Sequence, residues 1–337
     1  MIYLHDGHIR ALGIDWRRLT DIVEAVVRTR EAGECVHPSK TYLRYGDARN
    51  RIIAMPAYVG GAFGLAGIKW VAGFPGNPDL GLPRAHSAIV LNDAQTGRPT
   101  AVISGGLLNG LRAAAVSGLM LRAYMKARRP SAVRLGIVGW GPVGRLHLQM
   151  CADLLGERLA RATLCDLRPI DPETVPHDLR GITEIAGGWR ELYRGADVVA
   201  TCTVSAKRYI DERPPAGALL LNVSLRDYVP DSVFKTTAAV VDDWAEVCRE
   251  NTDIERLHLE RGMEASEAMT LADVVCRGGL EETPADVPVF FNPMGLGVFD
   301  IAIAGYYAEQ AMERGIGIVL EADGGEHDRL PPPTGNS

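Results

Sequence analysis

The sequence predicts an α/β fold with a doubly wound, Rossmann-type sheet across its middle, from Val133 to about Asp243. Two observations carry this. The run VRLGIVGWGPVG (133–144) is apolar and β-branched until it enters a glycine turn, and a helical pattern continues over 143–155. Strand-like runs then recur at 162–165, 182–185, 197–203, 218–223 and 238–241, separated by helical or irregular stretches. That alternation builds a parallel sheet covered on both faces.

The flanking elements follow from local pattern. Leu19, Ile22, Val23, Val26 and Val27 recur at helical spacing between Asp15, a candidate cap, and Gly33, a stop. Short strands are expected at 41–45, 51–55, 65–74, 87–91 and 99–104, separated by Gly, Pro, Asn and Asp. FPGNPDLGLPRA (74–85) is dense in turn formers and reads as a loop. Small and apolar residues over 107–126 support a long helix that Pro130 ends. Beyond Asp243, charged helical segments precede residues 287–312, which read as a strand, a turn and a last helix. The Gly-, Pro- and charge-rich tail, 322–337, reads as disordered.

A chain of 337 residues suits one large domain or two ordinary ones, and 47% hydrophobic against 23% charged residues describes a globular protein with a real core. The net charge of -6, with Lys and Arg scattered, argues against nucleic acid or an anionic membrane as partner. Cys35, Cys151, Cys165, Cys202, Cys248 and Cys276 form no CxxC and no close Cys/His set, and the histidines form no HxxxH or HExxH pair. Buried free thiols are expected, with no disulfide and no protein-bound metal. No apolar stretch is long enough to span a membrane, and residues 1–15 lack the pattern of a signal peptide. A cytoplasmic protein is expected.

Gly139, Gly141 and Gly144 spell GxGxxG directly after a strand and at the start of a helix, with Pro142 and Val143 completing the turn. The first glycine permits the tight turn, the second lets a pyrophosphate approach the backbone, and the third lets helix and strand pack closely. That motif alone arises by chance. Here the next strand also ends in an acid, Asp166, about twenty residues further on, where a carboxylate can accept hydrogen bonds from the adenosine ribose. Asp166 would repel a 2′-phosphate and so favours NAD, while Arg168 keeps some NADP use open. Thr203, Val204 and Ser205 lie where such sheets contact ribose and nicotinamide, and read equally well as a plain strand end.

Further residues extend the pattern: IIAMPAY (52–58), GIKWVAGFPGNPDLGLPRAHSAIVLND (67–93), TGRP (96–99), LNGLRAAAVSG (108–118), GIVGWGPVG, the GADVV–TCT strand and GLGVFDIAIA (295–304). On these the chain resembles the ornithine cyclodeaminase/μ-crystallin family of NAD(P)-dependent imine and amine enzymes, over nearly its whole length. The resemblance implies a Rossmann NAD-binding domain, 116–299, inserted in a second α/β domain. That second domain, 1–115 with 300–321, would bind substrate and form a homodimer. On matching positions the family's substrate lysine falls on Lys69, and its carboxylate-binding arginine on Arg112, which also reaches the cofactor. A second arginine falls on Arg44, and the catalytic aspartate on Asp227. Ser224 and Gly295 join the cofactor site. Around Asp227 the chain reads NVSLRD (222–227) where cyclodeaminases carry a glycine-rich stretch.

The combination SLRD, FPGN…LPRAHS and NPMGLGVFD is most similar to one branch of that family. Its members act on N-(2-amino-2-carboxyethyl)-L-glutamate on the route to 2,3-diaminopropionate, for siderophores and peptide antibiotics. The implied reaction is NAD-dependent oxidation and hydrolysis of this amino-acid conjugate, releasing 2-oxoglutarate, 2,3-diaminopropionate and NADH. Ornithine cyclodeamination, another NAD-dependent amino or imino acid dehydrogenase, and non-catalytic binding of the μ-crystallin kind are the alternatives.

Such chemistry needs an anchored carboxylate, a base for the N–H proton and a Cα–H aimed at nicotinamide. Arg112 and Arg44 can clamp carboxylates, Lys69 can hold a carboxylate or a water, and Asp227 can serve as base. Arg84 and Arg226 add positive charge that suits several carboxylates and repels ornithine's ammonium. By residue type alone, Lys69 would read as an exposed strand lysine, Arg112 as a helix-surface arginine and Asp227 as a turn or cap residue. His86 has no assigned role, and Asp300 is expected to order the last helix rather than take part in chemistry.

Overall fold

The computed structural model describes residues 1–47 and 49–321; the tail expected at 322–337 lies outside them. The first third builds one sheet from β1 (Ile2–His5), β2 (Cys35–Val36), β3 (Thr41–Leu43), β4 (Arg51–Val59), β5 (Leu65–Gly73), β6 (Ala85–Asp93) and β7 (Pro99–Ser104). Helices α1 (Asp6–Leu12) and α2 (Trp16–Glu31) interrupt it, and α3 (Gly106–Arg128) leads away from it. The second sheet holds β8 (Val133–Val138), β9 (Leu159–Cys165), β10 (Thr183–Ile185), β11 (Val198–Thr201), β12 (Leu219–Asn222), β13 (Ala238–Val241), β14 (Ala268–Thr270) and β15 (Val289–Asn292). Its helices are α4 (Pro142–Leu155), α5 (Trp189–Gly195), α6 (Pro230–Val233), α7 (Trp244–Val247), α8 (Asp253–Arg261) and α9 (Leu271–Arg277). Then α10 (Gly297–Arg314) and β16 (Ile318–Val319) return to the first sheet, where β16 pairs with β1.

The second sheet runs β10-β9-β8-β11-β12-β15-β13-β14 and is parallel throughout. Strands β11, β12 and β15 are buried at every residue, which is why they read as continuous apolar runs. Strand order reverses between β8 and β11, opening the crevice at the carboxyl edge where such sheets take ligands. The glycine turn follows β8 into that crevice.

The first sheet is antiparallel from β2 to β7, with β1 added parallel to β7. Strand β4 continues past the expected stop at Met55, through Pro56, to Val59. Its outer neighbours explain this: β3 pairs residues 52–54 and β2 pairs 58–59, so Pro56, which lacks an N–H, falls in the gap between them. Helix α10 lies across β4, β5 and β6, and α3 packs on α2, α4 and α10, so one apolar core runs under both sheets. Asp15 caps α2 as expected, accepting the Arg18 N–H at 2.9 Å. The β1–α1 start, β14, α9 and β16 carry no readable period; each is short and depends on distant partners. All six cysteines are free, but only Cys151 and Cys165 are buried, so the expectation of buried thiols is corrected for the half-covered other four. No helix among the described residues is long and apolar enough to cross a membrane.

The tightest packing in the second sheet is where α4 meets the glycine turn: a Cβ at Gly144 would stand 2.0 Å from the Gly139 carbonyl oxygen. Gly144→Ala should therefore lower stability by about 1–3 kcal/mol in urea unfolding. An unchanged midpoint would mean that the helix simply moves aside.

Candidate active site

Gly139 has φ +99, and a Cβ there would lie 2.6 Å from the Cys202 carbonyl oxygen. Only glycine lets the chain turn here beside the end of β11. Around Gly141 nothing lies within 4 Å of where a side chain would begin, so the backbone is open to a ligand. Pro142 opens α4, whose next N–H groups, on Val143 and Gly144, have no partner inside the helix. Asp166 accepts the Trp140 N–H at 2.7 Å and the Arg168 N–H at 2.9 Å, which fastens its carboxylate to the glycine turn. Arg168 is exposed beside it. An open turn, a helix N-terminus and a carboxylate alongside fit a dinucleotide.

Opposite, the loop after β12 carries Asp227, which is 0% exposed. Thr203 Oγ1 donates to its Oδ1 at 2.5 Å, and Ser224 Oγ donates to Oδ2. These two residues, expected at the cofactor, are the hydroxyls that hold the acid. Val204 is exposed, and Ser205 Oγ donates to the Lys207 carbonyl at 2.5 Å. The loop is fixed from below by Asp253, which the sequence did not single out. Its Oδ2 accepts Asn222 Nδ2 at 2.9 Å and the N–H groups of Asp227 at 3.1 Å and Tyr228 at 3.2 Å. Arg208 Nε donates to its Oδ1 at 2.6 Å. Burial pushes the Asp227 carboxyl up to about 6, with Thr203 pulling it down and the Asp253 charge pushing it up.

Lys69 is on the inner face of β5 and only 1% exposed, not on an open strand face. Its Nζ donates to Asp300 Oδ1 at 2.8 Å and Asn109 Oδ1 at 2.5 Å. Arg112 Nε donates to the same Asp300 oxygen at 3.1 Å, and its Nη2 to Asn109 at 3.3 Å. Asp300 therefore does more than order α10: it holds both cations, while its Oδ2 has no partner among the described residues. Burial brings Lys69 down to about 8 despite Asp300, with Arg112 and Lys40 adding to the fall. Gly295, at φ +80, covers the guanidinium so closely that a Cβ would stand 2.3 Å from Arg112 Nη1. Its N–H is held by Asp242 Oδ2 at 2.6 Å. Lys40 completes the cluster; it is buried, with Nζ 3.4 Å from Glu246 Oε2.

The five proposed substrate residues fall into two groups rather than one. Arg112 stays with Lys69. Arg44 Nη2 lies 2.5 Å from Glu250 Oε2, and Arg51, which the sequence reading passed over, is 3.4 Å from the same oxygen. Arg226 donates to the Glu250 carbonyl at 2.8 Å and to the Ser224 carbonyl at 3.4 Å. Arg84 is exposed and Arg226 half-buried; desolvation by the surrounding chain, and behind it the Arg51 charge, lower the pKa of both. Asn109 was legible three residues before Arg112, on the same helix face, and Asp300 as an acid in an apolar helix. Lys40, Asp242 and Asp253 carry no local signal, because only the folded chain reveals their burial.

The sequence model of the ornithine cyclodeaminase/mu-crystallin family matches residues 12–315. The N-((2S)-2-amino-2-carboxyethyl)-L-glutamate dehydrogenase of Staphylococcus aureus is 31% identical over 95% of this chain and 98% of its own. The alanine dehydrogenase of Archaeoglobus fulgidus is 28% identical over 88% and 90%. Among solved structures, the Thermococcus litoralis Delta(1)-pyrroline-2-carboxylate reductase in complex with NADH and L-proline superposes with a TM-score of 0.83. It is 22% identical, over 95% of this chain and 100% of that one.

Two titrations bear on any chemistry here: Asp227 takes up a proton below about 6, and Lys69 loses one above about 8. If Asp227 acts as base and Lys69 as cation, kcat/KM should fall on the acid side of about 6 and on the alkaline side of about 8. Asp253→Asn removes a charge that raises Asp227, so the acid limb should move to lower pH. A limb that stays in place in that variant would detach it from Asp227.

Proposed function

This chain belongs to the ornithine cyclodeaminase/mu-crystallin family and is an NAD-dependent oxidoreductase of amino or imino acids; from that premise we propose that it oxidises and hydrolyses N-(2-amino-2-carboxyethyl)-L-glutamate. One observation carries the choice of substrate. Arg44 and Arg51 share one carboxylate, that of Glu250, whose backbone carbonyl holds Arg226, and Arg84 is close enough to Arg51 to feel its charge, so this end of the cleft has cationic charge to spare. Ornithine brings two ammonium groups against one carboxylate, a net cation that this charge repels, whereas the conjugate brings three carboxylates against two amines. The relative from Staphylococcus aureus supports the same reading by name.

In this reading Lys69 and Arg112 hold the carboxylate of the glutamate part, with Asp300 cancelling one of their two charges. Bound NAD, held by the glycine turn and Asp166, supplies the acceptor for the hydride from the glutamate Cα. Asp227 takes the proton from the secondary amine, and a carboxyl near 6 is suited to accept and return a proton at neutral pH. The resulting substrate imine adds water at carbon, with Lys69 orienting the oxygen and Asp227 moving the proton. Collapse breaks the C–N bond, giving 2-oxoglutarate and 2,3-diaminopropionate, a building block for siderophores or peptide natural products. Hydrolysis leaves no acceptor for return of the hydride, so reduced cofactor accumulates.

We propose a second copy of the chain as its partner. The face of the first sheet turned away from Lys69 carries Leu43, Tyr58 and Trp70, exposed at 47%, 38% and 44%, among Ile52, Ala54, Ile68 and Val90. An apolar sheet face of this kind suits a homodimer. Trp70→Glu should lower the mass seen by light scattering at micromolar concentration from dimer to monomer; a wild-type monomer would reject the assembly.

Supplied with the conjugate and NAD, the enzyme should release NADH, 2-oxoglutarate and 2,3-diaminopropionate in equal amounts and turn over ornithine poorly. Proline from ornithine without net NADH would replace this reading with cyclodeamination. Asp227→Asn should cut turnover by ~10²–10⁴ with cofactor binding intact, and Lys69→Ala should harm KM and kcat together.

A further inference from the structure

Strand register fixes how the two cationic groups are spaced. On the inner face of the first sheet Lys69 stands opposite Met55, and Gly73 stands opposite Arg51. Four residues separate the two rows, or ~13 Å at the rise of an extended strand. Between them the same face carries Ile53, Val71 and Ser87, with Tyr42 opposite Ile53. The surface is therefore cationic at both ends and mainly apolar in the middle, the complement of an aliphatic chain with a carboxylate at each end.

The far end is already occupied. Glu250 Oε2 sits 2.5 Å from Arg44 and 3.4 Å from Arg51, bridging them as an incoming carboxylate would. It reaches there from the other sheet, on the turn between α7 and α8. Glu250 and Asn251 are successive residues at φ 62 and φ 57, a left-handed pair that non-glycine residues seldom adopt. Asn251 is tied down: its carbonyl accepts Arg208 Nη2 at 2.7 Å and its side chain accepts Arg256 Nε at 2.9 Å. The turn thus presents the Glu250 carboxylate to arginines on the opposite lip of the cleft.

We infer that Arg44, Arg51 and Arg226 form a subsite for a second substrate carboxylate, and that Glu250 fills it in the free enzyme as an internal stand-in. The inference rests on the multi-carboxylate reading above. Its energetics are mild. The side chains of Arg44, Arg51 and Glu250 are 41%, 30% and 20% exposed, so the pairs are partly screened and a ligand carboxylate can displace Glu250 at small cost. An acid with one carboxylate, held by Lys69 and Arg112, leaves Glu250 in place. Glu250 therefore raises the threshold for any ligand that must enter the subsite.

The test is calorimetric titration of the NAD-loaded enzyme with glutarate, a dicarboxylate that needs no turnover, and with butyrate as the monocarboxylate. Glu250→Gln should bind glutarate about five- to tenfold tighter than wild type, as expected for removing two partly screened competing pairs. Glu250→Asp, which keeps the charge but shortens its reach, should show a gain in the same direction and decides the matter if the first variant does not fold. Arg51→Gln should abolish the gain in both backgrounds, and butyrate affinity should not change. Glutarate bound no tighter by either variant, or a gain that survives Arg51→Gln, overturns the inference and makes Glu250 a structural brace. If glutarate behaves as expected but the conjugate is not turned over, the subsite stands and the substrate reading falls. If the conjugate is turned over with the same KM in wild type and Glu250→Gln, the reverse holds.

Discussion

One carboxylate oxygen, Asp300 Oδ1, holds the Lys69 end of the cleft together. It accepts from Lys69 at 2.8 Å and from Arg112 at 3.1 Å, and Asp300 is 0% exposed. Those three residues come from β5, α3 and α10, elements far apart in sequence. Two like charges so close in an apolar core would repel and shed a proton without a shared counter-charge. Burial pushes Asp300 up, but Arg112 and Lys69 more than offset it and keep its carboxyl below the ordinary range. The triad is left with one net positive charge facing the cleft. The same contact carries α10 back onto the first sheet, so the chain's last long helix completes a site begun by its fifth strand.

Burial acts in opposite directions on the two groups proposed to do chemistry. It lowers Lys69 toward neutrality and raises Asp227 toward it, leaving about 8 and about 6. Neither residue meets a bare apolar wall. Lys69 is compensated by Asp300 and Asn109, Asp227 by hydroxyls from Thr203 and Ser224. A carboxyl held by neutral donors rather than by a cation stays close to the pH at which it must give and take protons. The network of Asp253, Asn222 and Arg208 beneath it fixes the loop without neutralising the acid.

The parts of this arrangement that were legible in the sequence are those set by local pattern. The glycine turn, the parallel strands after it and the Asp15 cap follow from spacing and residue type, and Asp166 from its place at the next strand's end. Lys69 was different. Its neighbours say "strand", but its burial depends on α10 crossing β5 from more than two hundred residues away, so only the family pattern pointed to it. Pro56 misled in the other direction. It argues for a strand end, yet the strand continues, because two short strands pair on either side of the missing N–H. The arginines could be counted but not sorted. That Arg112 lies at one end of the cleft while Arg44 and Arg226 lie at the other is decided by strand register and by a loop that brings Glu250 across.

That crossing belongs to a wider pattern. The segment after β13 carries Asp243, Glu246 and Glu250, and each pairs with a cation from the first part of the chain. Arg30 meets Asp243 at 2.5 Å, Lys40 meets Glu246 at 3.4 Å and Arg44 meets Glu250 at 2.5 Å. The three contacts fasten the first part of the chain to the segment after β13, but they are not equivalent. Lys40 and Glu246 are each 7% exposed, and breaking that pair would leave a buried charge without a partner, a loss of several kcal/mol by general experience. Arg44 is 41% exposed, so water can take over its solvation when Glu250 leaves. Burial thus separates a fixed brace, Lys40–Glu246, from a contact that a ligand can replace, Arg44–Glu250. The replaceable one lies at the end of the cleft where Arg51 and Arg226 gather, so exchanging partners there need not loosen the rest of the row.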